Sequence, residues 1–318
     1  MKRLRRLSLF FIFTSLIGLL VLSALIYHTM TRAVDTCGAT DATPANFSAS
    51  IDTTPYLMDT YEDVEFPSAD GLTLRAFYVP AVPAPEDSTN APTVIIVHGI
   101  NACRRDAFSL LPAGVLHQAG FNALVLDLRN MGESEDDNGH MGMGSKEYQD
   151  VIGAVDYLIN ERGATAGEIG VYGYSMGGAT ALIAGGFDPR IGAVWADSAY
   201  ADIDILIDDL LSEVKLSLLK TPILFMGGLL FGDDVRRYAP LDSVATFADR
   251  PVYLVFGTAD RLVRGDNIDQ LEATLIVSTV PYTLWITDSA HVETPLDYPA
   301  EFETRLIDFF SDALIGSE

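Results

Sequence analysis

Six short runs of unbroken apolar character recur along the chain: PTVIIVHG, FNALVLDLR, EIGVYGYS, IGAVWAD, PVYLVFG and YTLWITD. A strand needs such a run only when both its faces are covered, and strands of that kind belong to parallel sheets with helices packed on either side. Ahead of them, EDVEFP and LTLRAFYVP alternate or nearly so, with Asp70-Gly71 between them as a hairpin signal. Residues 106–119, 146–161, 176–185, 267–277 and 301–314 read as helices. In the second of these Tyr148, Val151, Ile152, Val155, Leu158 and Ile159 fall on one stripe. Strands and helices in this alternation predict an α/β domain over 61–318, with an apolar share of 49% to fill its core.

The N-terminus carries a different signal. Lys2, Arg3, Arg5 and Arg6 precede an uncharged apolar run from Leu7 to Tyr27. At ~1.5 Å per residue this run covers roughly 30 Å, the depth of a bilayer's hydrocarbon. It is longer than the ~7–15 residues of a signal-peptide core, and Thr31-Arg32-Ala33 is a weak cleavage site. Residues 1–29 are therefore expected to be a membrane anchor, its basic end cytoplasmic and the body outside. Residues 30–60, rich in Thr, Ala, Asp and Pro, read as a linker. A net charge of −24 argues against a nucleic-acid partner, whose phosphates need Lys and Arg. Two cysteines, Cys37 and Cys103, would be free to pair in an exported domain, but nothing in the sequence brings them together. No Cys/His spacing suits a metal, so no metal or cofactor is expected.

The third apolar run ends in Gly173-Tyr174-Ser175-Met176-Gly177 and a helix follows. That is the setting of a nucleophile elbow, where small neighbours let the chain turn so sharply that the serine oxygen is exposed. A serine needs a base, and the base an orienting acid; in sheet enzymes with such an elbow both follow the serine in the chain. Of the five histidines, His28, His98, His117 and His140 precede it, which leaves His291 in the loop after the last strand. Asp260, beyond PVYLVFG, is the favoured acid; Asp197, ending IGAVWAD, is its rival, and Asp288 lies close to the histidine itself.

Taken as an ordered series, VIIVHGIN, LVLDLRNMGES, VYGYSMGGATAL, VYLVFGTADRLV and SAHVETP resemble the α/β-hydrolase superfamily, in particular its serine aminopeptidase-like and monoacylglycerol-lipase-like branch. The resemblance implies an eight-stranded, mostly parallel sheet with helices on both faces. It also implies Ser175 as nucleophile, Asp260 as acid, His291 as base, and the amides of Ile100 and Met176 as an oxyanion hole. One departure is Asn130, where relatives often carry glycine in the turn after the fourth strand.

The resemblance further places a short helical cap at about 198–244. There Ile203, Leu206, Ile207, Leu210, Leu211, Val214 and Leu218 form an apolar stripe, with Asp202, Asp208, Asp209 and Glu213 opposite. Such a cap could line an acyl pocket, or its acidic residues could hold a peptide's N-terminus. The expected activity is hydrolysis of acyl esters, with a small ester, a lipid or a short peptide as substrate. An aminopeptidase or amidase, an acyl thioesterase and a non-catalytic binding protein are the alternatives. Four other features read as structural: GHMGMGSK as a mobile loop, Glu147 and Asp150 as helix-dipole partners, His117 as a packed or solvated residue, and Arg104 and Arg105 as a solvated helix start.

Overall fold

Eight strands form one sheet in the order β1-β2-β4-β3-β5-β6-β7-β8. They are β1 (Glu62–Pro67), β2 (Thr73–Val79), β3 (Thr93–Val97), β4 (Asn122–Asp127), β5 (Ile169–Tyr174), β6 (Ile191–Asp197), β7 (Val252–Gly257) and β8 (Tyr282–Thr287). The chain, in a computed structural model, is described at residues 2–34, 37, 40–82, 91–232 and 234–316. The side chains of Lys2, Arg3 and Arg5, and the linker positions 35, 36, 38 and 39, lie outside the described residues.

β1 and β2 pair antiparallel, as do β2 and β4; every other pairing is parallel. β3, β4, β5 and β7 are buried throughout, as their continuous apolar runs require. β8 departs from that expectation. It is the edge strand and leaves Ile286 exposed.

The helices are α1 (Lys2–Thr31), α2 (Ala107–Gln118), α3 (Tyr148–Arg162), α4 (Met176–Phe187), α5 (Ile203–Glu213), α6 (Lys220–Phe231), α7 (Pro240–Val244), α8 (Gly265–Val277), α9 (Thr294–Asp297) and α10 (Pro299–Leu314). Apolar side chains of α3, α4, α7 and α8 fill one face of the sheet, and those of α2 and α10 fill the other. α3 buries Val151, Val155 and Leu158 of its stripe and ends at Gly163, whose φ of 73° supplies the left-handed cap. α1 is long and apolar enough to cross a membrane.

The stretch expected as a linker is folded onto the body. Phe47 and Met58 are buried in the core shared with α2, and a disulfide joins Cys37 to Cys103, 66 positions apart. Closing a loop of that length stabilises a fold by about 4 kcal/mol in the chain-entropy account. Cys37→Ser is expected to lower the unfolding free energy by about that amount in a denaturant titration. An unchanged midpoint would mean that the bond contributes nothing to the fold.

Arg104, expected at a solvated helix start, is instead structural, and Glu147, Asp150 and His117 hold specific partners. Arg104 is fully buried, its guanidinium paired with Asp63, Asp127 and Glu133 at 2.6–3.1 Å. Asp150 forms an ion pair with buried Arg129 at 2.6 Å. Glu147 accepts the amides of Gly142 and Gly144 at 2.6 and 2.8 Å, so the glycine-rich loop is pinned rather than loose. His117 donates from Nδ1 to the carbonyl of Pro80 at 2.6 Å.

Candidate active site

The turn from β5 into α4 is tight. A Cβ on Gly173 would lie 2.2 Å from the carbonyl oxygen of Gly177, and one on Gly177 would lie 2.2 Å from that of Val97. Ser175 between them takes φ 55° and ψ −125°, a conformation that costs a non-glycine residue of order 1–3 kcal/mol. Its amide donates to the carbonyl of Asp197 at 2.8 Å, which helps hold the turn.

The loops after β7 and β8 converge on this serine. His291 Nε2 lies 2.9 Å from Ser175 Oγ, and its Nδ1 lies 2.6 Å from Asp260 Oδ2. The second carboxylate oxygen of Asp260 accepts the amides of Leu262 and Val263 at 2.8 and 2.9 Å, so the carboxylate cannot swing away. With Nδ1–H donated to Asp260, the neutral imidazole leaves Nε2 to accept the serine proton, which is what general-base activation requires.

Neither rival acid joins this chain. Asp197 is buried and accepts the Ser198 hydroxyl at 2.9 Å; burial pushes its carboxyl up to about 7, against a smaller opposing pull from that bond. Ser198 in turn accepts the amide of Val292 at 3.1 Å, so Asp197 acts on the backbone beside His291 rather than on its ring. Asp288 accepts the hydroxyl of Tyr298 instead.

Ile100, in the loop after β3, and Met176, the first residue of α4, line the same cavity as Ser175. Neither amide donates to a protein acceptor among the described residues. For Met176 this follows from its place in the first helical turn. Behind them His98 is fully buried, donating from Nδ1 to the Gly99 carbonyl at 2.7 Å and accepting the Leu128 amide at Nε2 at 3.0 Å. Desolvation lowers it to about 4, so it remains neutral and braces the loop. Asn130 stands at φ 64°, a region that asparagine tolerates well. Its side-chain oxygen accepts the amides of Asp137, Asn138 and Gly139, which no glycine could do.

Above the serine lies a cavity of about 820 Å³, mouth included. Ile203, Leu206, Ile207 and Leu210 of the cap stripe line it. Val214 and Leu218 do not: α5 stops at Glu213, and both side chains are exposed. The cap's carboxylates also lie elsewhere. Asp202 caps α5 by accepting the Asp204 amide, and Asp204 and Asp208 pair with Lys220. Tyr27, Met30 and Thr31 of α1 also form part of the wall, as do Met143 and Tyr200, none of which the sequence pattern singles out. The Tyr200 hydroxyl donates to the Met143 carbonyl at 2.5 Å.

A sheet of this order with a half-buried serine on the turn after β5, open to a cavity, defines a serine hydrolase of the α/β-hydrolase fold. Residues 107–316 match the model of the prolyl oligopeptidase family, Peptidase_S9, and the chain belongs to that family. Among individual relatives it is 35% identical over 133 residues to the thiohydrolase aneE of Aspergillus aculeatus, covering 42% of this chain and 39% of that one. It is 28% identical over 260 residues to YfhR of Salmonella typhi, covering 80% of each. The chain thus spans well under half of the first relative. The Pyrococcus furiosus esterase Pf2001 shares the fold, with a TM-score of 0.65, 24% identity, and coverage of 86% of this chain and 98% of that one.

Proposed function

We propose that the protein is a membrane-anchored acyl-ester hydrolase in which Ser175, His291 and Asp260 act as nucleophile, base and acid. Ser175 Oγ attacks the acyl carbonyl while His291 Nε2 takes its proton, and Asp260 stabilises the imidazolium through Nδ1–H. The amides of Ile100 and Met176 hold the oxyanion, a contribution of about 3 kcal/mol per donor. The imidazolium then protonates the leaving alcohol, and a water activated by the same histidine releases the acid. No step calls for a cofactor. Residues 1–29 anchor the chain with the N-terminus cytoplasmic and 61–318 outside, a placement that the Cys37–Cys103 disulfide favours.

The observation that carries this reading is the lining of the cavity beside Ser175. It is almost wholly apolar, with no carboxylate among the described lining residues. An acyl chain gains about 0.8 kcal/mol per buried methylene there, whereas a substrate ammonium would find no partner. On p-nitrophenyl esters kcat/KM should rise from acetyl to hexanoyl, on the order of a hundredfold if four methylenes are fully buried. Aminoacyl p-nitroanilides should be turned over far more slowly. Leu210→Ser should flatten the rise, because Leu210 lines the cavity. A preference for acetyl esters, or faster cleavage of the anilides, would favour an aminopeptidase. A thioester is the second reading: the pocket grips the acyl part whatever the leaving group, and one relative is named a thiohydrolase. Acyl thioesters belong in the same assay.

A further inference from the structure

The N-terminal helix is joined to the active site at several points. Its last turn is fixed to the loop after β4: the Met141 amide donates to the Thr31 carbonyl at 2.7 Å, the Ala33 amide to the Gly139 carbonyl at 3.0 Å, and Thr31 Oγ1 lies 2.9 Å from His140 Nδ1. The Val34 amide donates to Asn101 Oδ1 at 2.9 Å, next to the proposed oxyanion loop. Along its side α1 packs on α6. Tyr27 stacks on Phe231 with ring centroids 5.5 Å apart, and it lies so close to Gly227 that a Cβ there would sit 2.1 Å from the ring. Tyr27, Met30 and Thr31 reach the cavity of Ser175.

The same packing sets the depth of α6. A wholly apolar groove between the two helices starts at Ile17 and runs past Leu25 to His28, with Met226 and Leu230 on its far side. Ile17 lies about 15 Å below Tyr27 along the helix, near the middle of the apolar run. If that run fills the hydrocarbon, α6 lies in its outer half. The free face of α6 agrees, because Phe225, Leu229 and Leu230 are more than half exposed. An exposed apolar face of this kind fits an interaction site, and its continuity with the anchor names the partner.

We propose that α1 and α6 together wall the acyl site inside the outer leaflet, so that Ser175 takes its acyl chain from a bilayer lipid and Tyr27 and Met30 limit the chain's length. The proposal rests on the anchored-hydrolase reading. It makes the anchor a determinant of specificity as well as a tether.

Two measurements on the full chain in phosphatidylcholine vesicles test it. The first introduces a fluorophore on α6 by Leu229→Trp. Lipids brominated on their acyl chains should quench the added emission by more than half, and aqueous iodide should barely do so; the reverse pattern would put α6 in water and overturn the proposal. The second compares kcat/KM for decanoyl and acetyl p-nitrophenyl esters. Met30→Trp should lower the decanoyl-to-acetyl ratio about tenfold or more, the loss of two or three buried methylenes, and Met30→Ala should raise it. A ratio within twofold of the parent in both variants would show that α1 does not limit the chain. Fluorophosphonate labelling of Ser175 checks that each variant is folded. If the unaltered chain hydrolysed no ester at all, the hydrolase reading would be at fault, and the quenching arm would still decide where α6 lies.

Discussion

Ser175→Ala and His291→Ala are each expected to lower kcat for an acyl ester by about 10⁴-fold or more, and Ser175→Ala to abolish fluorophosphonate labelling. The size follows from how such groups act. Serine and imidazole work as a unit, so removing either leaves only binding and oxyanion stabilisation. The geometry places the burden on these two residues: a 2.9 Å contact joins them, and the four other histidines lie elsewhere, His98 buried with both ring nitrogens bonded. His98→Gln should therefore act through stability, not through the chemistry. Labelling that persisted unchanged in Ser175→Ala would move the nucleophile to another residue.

The second large effect separates the two buried carboxylates. Asp260→Asn should preserve the fold and lower kcat by about 10⁴-fold, because an amide at 2.6 Å from Nδ1 presents a donor and stabilises the wrong tautomer. Asp197→Asn should cost less than about tenfold, since Asp197 makes no hydrogen bond to the imidazole and is linked to it by hydrogen bonds only through Ser198 and the backbone of Val292. It should also change the pH dependence of stability. A carboxyl raised from 3.8 to about 7 holds its proton to higher pH in the folded protein than in the unfolded chain. Its stabilising contribution is complete below the lower value and is lost as pH rises through the upper one. A permanently neutral Asn escapes that loss, so Asp197→Asn should raise Tm near pH 8 and change it little near pH 3. If the kinetic effects of the two substitutions came out reversed, the acid would be the one after β6.

Much of this architecture could be read locally. β3, β4, β5 and β7 announce themselves because burial on both faces admits only apolar residues, and Gly173 and Gly177 because no side chain fits at either position. His291 came from chain order alone. What escaped is what depends on distant partners. Arg104 reads as a solvated residue until Asp63, Asp127 and Glu133 close around it. The apolar stripe of the cap was visible, but its periodicity could not say that α5 ends before Val214. The most consequential omission is α1. A run such as Leu7–Tyr27 looks the same whether its end hangs free or seals a cavity, and only Gly227, a glycine within a helix, hints at the close approach. The pairing of Cys37 with Cys103 is of the same kind, set by the fold between them.

In the proposed mechanism Ser175 carries an acyl group during turnover. Full-length protein turning over p-nitrophenyl octanoate should be quenched in acid within the steady state, digested and mapped by mass. An octanoyl adduct is expected on the peptide containing Ser175, present in the parent chain and absent from Ser175→Ala. An adduct on any other residue, or turnover with no adduct under conditions that trap an acyl-enzyme, would contradict it.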